Sequence, residues 1–248
     1  MRLIGRIDIK NEYVIKGIHL EGLRKLGNPN EFALKYFNEG IDEIVFHDSV
    51  ASLYERNNIF NVIEKACKEI FIPIIVSGGI RTLDDIENAL KSGADKVAIN
   101  TQAVKTPKFI SKAARTFGSQ CIVGAIDCKK HNNTWEVLTE NGREITKLNA
   151  YDWALKLQDL GIGELMLTSV DMEGTKKGFD IEIIDQISKD LKVPVIASGG
   201  AGSVNHIVNV AKNSQVTAIA AASILHYNIE TIKTIKKELV SNNFDIRL

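Results

Sequence analysis

Two segments each place an aspartate at the end of an apolar run, with a lysine two residues on: Gly5-Arg6-Ile7-Asp8-Ile9-Lys10 and Gly124-Ala125-Ile126-Asp127-Cys128-Lys129. Two carboxylates on facing walls of one site suit general acid and general base work on a molecule held between them. A lone aspartate would more often cap a loop or pair with the neighbouring Lys10 or Lys129; two at matching positions point to chemistry. A second pair of segments carries glycine-rich turns. Ile72-Pro73-Ile74-Ile75-Val76-Ser77-Gly78-Gly79 returns as Val193-Pro194-Val195-Ile196-Ala197-Ser198-Gly199-Gly200. Glycine lets backbone N–H groups approach an anion closely, and a helix start adds its dipole. Asn100 and Thr101 would complete the first turn, Ala222 and Ser223 the second. The pattern predicts two phosphate sites, one at Gly78 and Gly79 and one at Gly199 and Gly200. A substrate with a phosphate at each end would hold its reactive middle between Asp8 and Asp127.

The spacing of these motifs shows what must position them. The aspartate segments lie 119 residues apart, the glycine turns 121 apart, and Gly40-Ile41-Asp42-Glu43 recurs as Gly161-Ile162-Gly163-Glu164, again 121 apart. The chain reads as two copies of one half. Short apolar runs alternate with helical periodicity, the pattern of a parallel sheet with crossover helices. Strands are predicted near Leu3–Ile9, Glu43–His47, Ile72–Val76, Lys96–Ile99, Cys121–Ile126, Glu164–Thr168, Val193–Ala197 and Thr217–Ala221, with helices at Asn30–Asn38 and Thr82–Ser92 among those between. Eight such units in 248 residues predict an α/β fold, a (β/α)8 TIM barrel of two similar (β/α)4 halves, as one domain over residues 1–248. A doubly wound open sheet is the alternative. Trp135–Thr139 and Arg143–Thr146 read as a hairpin around Glu140-Asn141-Gly142, inserted after the fifth strand and so over the barrel's carboxyl-terminal face.

Composition narrows the function. Lysine plus arginine and aspartate plus glutamate each number 31, which leaves no basic footprint for nucleic acid. No apolar stretch nears the roughly 20 residues of a membrane span. The amino terminus is too short and too early-charged for a signal peptide. Cys67, Cys121 and Cys128 lack metal-ligand spacing, and Cys121 reads as core. No metal or cofactor is implied, and a reducing, cytoplasmic setting is expected.

Taken together, the chain resembles the cyclase subunit of imidazole glycerol phosphate synthase from end to end. The segments that carry the resemblance are Val14-Ile15-Lys16-Gly17, Val76-Ser77-Gly78-Gly79-Ile80-Arg81, Gly93-Ala94-Asp95-Lys96-Val97-Ala98-Ile99-Asn100, Phe117-Gly118-Ser119-Gln120-Cys121-Ile122-Val123 and Ile196-Ala197-Ser198-Gly199-Gly200-Ala201-Gly202. The resemblance implies a reaction in histidine synthesis. Ammonia and a bis-phosphorylated ribulosyl formimino carboxamide ribotide become imidazole glycerol phosphate and aminoimidazole carboxamide ribotide. It implies Asp8 and Asp127 as the acid–base pair, and Lys16 of the first loop, Asp48, Glu173 and Gly174 as substrate contacts. It also implies a partner glutaminase docked on the amino-terminal face, with ammonia passing a ring of Arg2, Glu43, Lys96 and Glu164. A purely structural salt-bridge layer is the other reading of that ring.

The chain also departs from the family. Arg6 stands where the family carries a cysteine, His47 where it carries an aliphatic residue, and Glu173 where it carries an aspartate; His19 and Leu20 in the first loop differ as well. Strand alternation points Arg6 and His47 into the lumen, where a buried guanidinium must be paired, with Asp8, Asp127 or another acidic group as its expected partner. Two further readings follow. One is a paralogue that uses glutaminase-derived ammonia to amidate a sugar in surface-glycan synthesis. The other is a catalytically silent barrel that activates a glutaminase.

Overall fold

The computed structural model describes residues 1–51 and 59–248. Eight parallel strands close on themselves in the order β1 (Arg2–Lys10), β4 (Glu43–Asp48), β5 (Ile74–Ser77), β6 (Lys96–Ile99), β7 (Ile122–His131), β10 (Glu164–Ser169), β11 (Val195–Ser198) and β12 (Ala218–Ala221). Pairing of β12 with β1 and of β7 with β10 completes the ring. This is the expected (β/α)8 barrel, and the open-sheet alternative is excluded by the closure.

Three layers fill the lumen because alternate residues of each strand point inward. Arg2, Glu43, Lys96 and Glu164 lie at the amino ends. Above them is an apolar layer that includes Ile4, Val45, Ile75, Val123, Met166 and Ile196. The polar mouth, at the carboxyl ends, follows. The opposite strand faces, with Leu3, Ile7, Ile44, Phe46, Leu165 and Leu167 among them, pack under the helices in a second apolar shell.

Local signals set the helix ends. Thr82 caps the helix Leu83–Lys91 in a capping box with Asp85, and Asp84 and Asp85 lie in its positive first turn. Asn149 caps Ala150–Leu160, whose last turn is stopped by Gly161 at φ +101°. The expected helix Asn30–Asn38 begins one residue earlier, at Pro29.

Several strand boundaries differ from expectation. The strands expected from Ile72 and Val193 begin at Ile74 and Val195 instead. Pro73 and Pro194 have no N–H to give a ladder, but their carbonyls still accept from Ile44 and Leu165 at 3.0 and 2.9 Å. Cys121 is not core. It lies half-buried in a 3-10 turn, Ser119–Cys121, while Cys128 is the buried thiol.

Two hairpins rise over the mouth. The first, β2 (Tyr13–Ile18) with β3 (Glu21–Gly27), was not foreseen from sequence; it carries Lys16. The second was foreseen, and is larger than expected. β7 runs on to His131 and pairs with β8 (Thr134–Thr139), which pairs with β9 (Glu144–Asn149).

Candidate functional site

At the mouth the two halves, so alike in sequence, are unlike in structure. Asp8 has the inward-facing Arg6 two residues below it, and Asp127 has Ala125 in the same relation. Arg6 is only 2% exposed. Its Nε donates to Asp8 Oδ1 at 2.8 Å, and its Nη1 reaches across the lumen to Thr168 Oγ1 on β10 at 3.0 Å and Ser198 Oγ on β11 at 3.2 Å. Lys16, brought in by the first hairpin, donates to Asp8 Oδ2 at 3.1 Å and also pairs with Glu173. Among the described residues neither Lys10 nor Lys129 pairs with Asp8 or Asp127, and both side chains are exposed.

These contacts separate the two acids. Burial alone would raise the Asp8 pKa, but the charges of Arg6 and Lys16 outweigh it and hold the carboxyl well below the usual range. The same pairing raises Arg6 and Lys16 against the pull of burial. Asp127 goes the other way. Burial pushes it up, and Arg6, His47 and a 3.0 Å bond from the Asn100 amide offset that only in part.

The first-half turn opens onto a cavity of about 80 Å³ lined by His47, Asp48, Gly78, Gly79, Asn100, Thr101 and Asp127. Gly78 sits at φ +92°, and a Cβ there would overlap the Asp48 carbonyl, so only glycine fits. Some side chains expected to face a phosphate are otherwise engaged. Asn100 Nδ2 donates to Asp127 and to the Leu138 carbonyl. Thr101 Oγ1 accepts from the Glu140 N–H at 3.0 Å, and Asp48 Oδ1 accepts from the N–H groups of Val50 and Ala51. His47 faces inward as parity requires. Its ring bonds Ser77 Oγ at 3.0 Å and Asn141 Oδ1 at 3.1 Å, tying the second hairpin to the turn.

The second-half turn brings together Glu173, Gly174, Gly199, Gly200, Ala222 and Ser223, with Arg6 and Ser198, but leaves about 10 Å³, room for one water. The first hairpin seats against the loop that carries Glu173 on this side. The His19 N–H donates to the Glu173 carbonyl at 2.8 Å, and the His19 ring bonds the Val170 carbonyl at 2.9 Å. Leu20 lies beside Gly142. The departures His19, Leu20 and Glu173 thus meet where the hairpin seats.

At the amino ends the four expected charges form a closed ring. Glu43 accepts from Arg2 at 2.6 Å and Lys96 at 2.8 Å; Glu164 accepts from the same two cations, with Lys96 at 2.8 Å. Arg2 is 33% exposed, so the ring is the lumen's partly open floor.

Sequence reasoning missed Thr168 and Ser198 as partners of Arg6 and Asn141 as a partner of His47. Thr168 is readable by alternation from Glu164. Asn141 is not, because only the hairpin's closure brings it to His47.

The profile of the histidine biosynthesis protein family matches residues 2–231. The chain is therefore a (β/α)8 barrel of that family. It is 54% identical over 203 residues to imidazole glycerol phosphate synthase subunit HisF of Legionella pneumophila, covering 82% of this chain and 96% of that protein. It is 45% identical over 247 residues to the HisF subunit of Dehalococcoides mccartyi, and 44% over 248 residues to that of Bacillus cereus, with 100% of this chain and 98% of the relative covered in each case. The chain belongs to the HisF family of imidazole glycerol phosphate synthase subunits.

Proposed function

We propose that the protein is an ammonia-dependent cyclase–lyase. It would form imidazole glycerol phosphate and aminoimidazole carboxamide ribotide from the bis-phosphorylated ribulosyl formimino ribotide. The observation that carries this reading is the mouth itself: two buried carboxylates, Asp8 and Asp127, stand between two repeat-related glycine turns. Gly78, Gly79, Asn100 and Thr101 would hold one phosphate, and Gly199, Gly200, Ala222 and Ser223 the other. Lys16, Asp48, Glu173 and Gly174 would frame the substrate between them. Environments that push two acids apart assign them different protonation states, so Asp127 is the group suited to carry a proton and Asp8 the group suited to stay charged.

Ammonia would come from a partner glutaminase. The relatives are named as subunits, and the ring of Arg2, Glu43, Lys96 and Glu164 floors the apolar lumen, where ammonia would enter. Phe71, 79% exposed just before β5, offers an apolar contact on that same amino-terminal face.

The test is incubation of the purified protein with the bis-phosphorylated ribotide and ammonium salt at high pH, without partner. Both products in equal amounts are expected. No turnover would remove the reading. One observation favours a second reading, amidation of a sugar by a paralogue: Arg6 occupies the lumen directly beneath Asp8. Ammonia-dependent turnover of a nucleotide sugar, with none of the ribotide, would establish it.

A further inference from the structure

We propose that Arg6 is a positioning residue that keeps Asp8 a permanent carboxylate, leaving Asp127 as the only one of the two mouth aspartates that carries a proton during turnover. The proposal rests on the cyclase–lyase reading for its meaning in catalysis, but its geometry stands alone. Both Asp8 oxygens are taken by cations, Oδ1 by Arg6 Nε at 2.8 Å and Oδ2 by Lys16 Nζ at 3.1 Å. Protonating Oδ1 would break the charge-assisted bond to Arg6 and leave that buried cation short of its counter-ion, and protonating Oδ2 would leave Lys16 with Glu173 alone.

Arg6 is held from two further strands, by Thr168 and Ser198, so it cannot follow a proton arriving at Asp8 without giving up those bonds as well. The other charged groups about Asp8 are His47 on β4 and Glu173, which shares Lys16.

Asp127 is set differently. Ala125 lies beneath it, its one hydrogen bond among the described residues comes from the neutral Asn100 amide, and it faces the open cavity. Arg6, His47 and Glu173 are the charges that act on it. A proton on Asp127 breaks no ion pair. The two-acid pattern of the repeat thus becomes a fixed anion and one proton carrier, and the residue that makes the difference is Arg6.

The experiment is carbon-13 NMR of the full chain labelled at aspartate carboxyls, titrated between about pH 4 and pH 8. Asp8 and Asp127 signals are assigned by their loss in Asp8→Asn and Asp127→Asn. In the wild type, Asp8 should stay ionised throughout while Asp127 titrates. In Arg6→Met, where buried Asp8 keeps only Lys16 as a cation partner, the Asp8 midpoint should rise into this window. Arg6→Lys, which restores a cation, should return it toward the wild type and serves as the folded control if the methionine variant is unstable. A wild-type Asp8 that titrates in this window, or an Arg6→Met Asp8 that stays ionised across it, would overturn the proposal. The pH–rate profile with ribotide and ammonium should show one carboxyl ionisation in the wild type and two in Arg6→Met. Absence of all turnover would instead overturn the cyclase–lyase reading and leave the NMR result standing.

Discussion

The two sides of the barrel mouth descend from one repeated sequence and end in different states. On one side Asp127 stands over Ala125, beside an open cavity, bonded by a neutral amide. On the other, Asp8 stands over Arg6 and under Lys16, in a buried network that also takes in Glu173, and the glycine turn beside it has space for about one water. Ser77 and Ser198 hold equivalent places, yet one bonds the His47 ring and the other the Arg6 guanidinium. A symmetric scaffold therefore does not impose symmetric chemistry. One side chain two residues below the acid, and one hairpin above it, are enough to part the halves.

The largest effect expected from breaking this arrangement is on stability. Asp8→Asn leaves Arg6 and Lys16 buried without their shared counter-ion and should cost about 3 to 5 kcal/mol. Asp127→Asn breaks no ion pair and should cost far less. Denaturant midpoints of the two variants decide the matter; equal losses would mean that the acids are alike after all. Turnover should rank them in the opposite order. Asp127→Asn should lose about 10²-fold, the usual contribution of a general acid or base, and Asp8→Asn less, measured as kcat with the ribotide and ammonium.

Acid should then act on the closed side. His226, packed with Tyr36 behind β1, is the fourth residue of its helix and corresponds in the repeat to Val104. Burial, with a contribution from Lys16, lowers the His226 pKa from 6.5 to about 3. The folded pKa lies below the unfolded one, so this stabilisation is complete above about pH 6.5 and is lost as pH falls toward 3. The slope is about 1.4 kcal/mol per pH unit. Asp8, also depressed, adds to the loss below about pH 4. Asp127 has the opposite sign, because its raised pKa favours the folded state at low pH and that contribution is lost as pH rises through the folded value. Replacing His226 with phenylalanine should flatten the stability profile between about pH 6.5 and pH 4; an unchanged slope would remove His226 as its cause.

The smallest effect is on the open side. His47→Leu removes the bonds to Ser77 and Asn141 and should cost about 1 kcal/mol each. It should also loosen the Glu140–Gly142 turn, read as faster amide exchange there than at the first hairpin. Exchange unchanged at that turn would mean that Lys105, paired with Glu140 at 2.7 Å, holds it instead.

The barrel is legible in the sequence because most strands are short apolar runs, several of them rich in Ile and Val, and because the repeat fixes which runs correspond. The inward positions of Arg6 and His47 follow from strand alternation, while the four-charge ring follows from the resemblance to the cyclase family. What is not legible depends on contacts far apart in the chain. β3 exposes most of its residues on both faces, so no hydrophobic alternation marks it as a strand. It is built by pairing with β2, and the hairpin is seated by Glu173, far along the chain. The closure of the second-half turn is hidden for the same reason, as is the use of Asn100 and Thr101 to hold Asp127 and the second hairpin.

The asymmetry of the mouth is tested most directly by crystals of the full chain grown without phosphate and soaked in rising concentrations of inorganic phosphate. Anion density should appear first at the Gly78-Gly79 turn beside Asn100. It should reach the Gly199-Gly200 turn beside Ser223 only at higher concentration, with the first hairpin lifted from Glu173. Equal filling of both turns at the same concentration, with that hairpin still seated, would contradict a mouth that is open on one side and closed on the other.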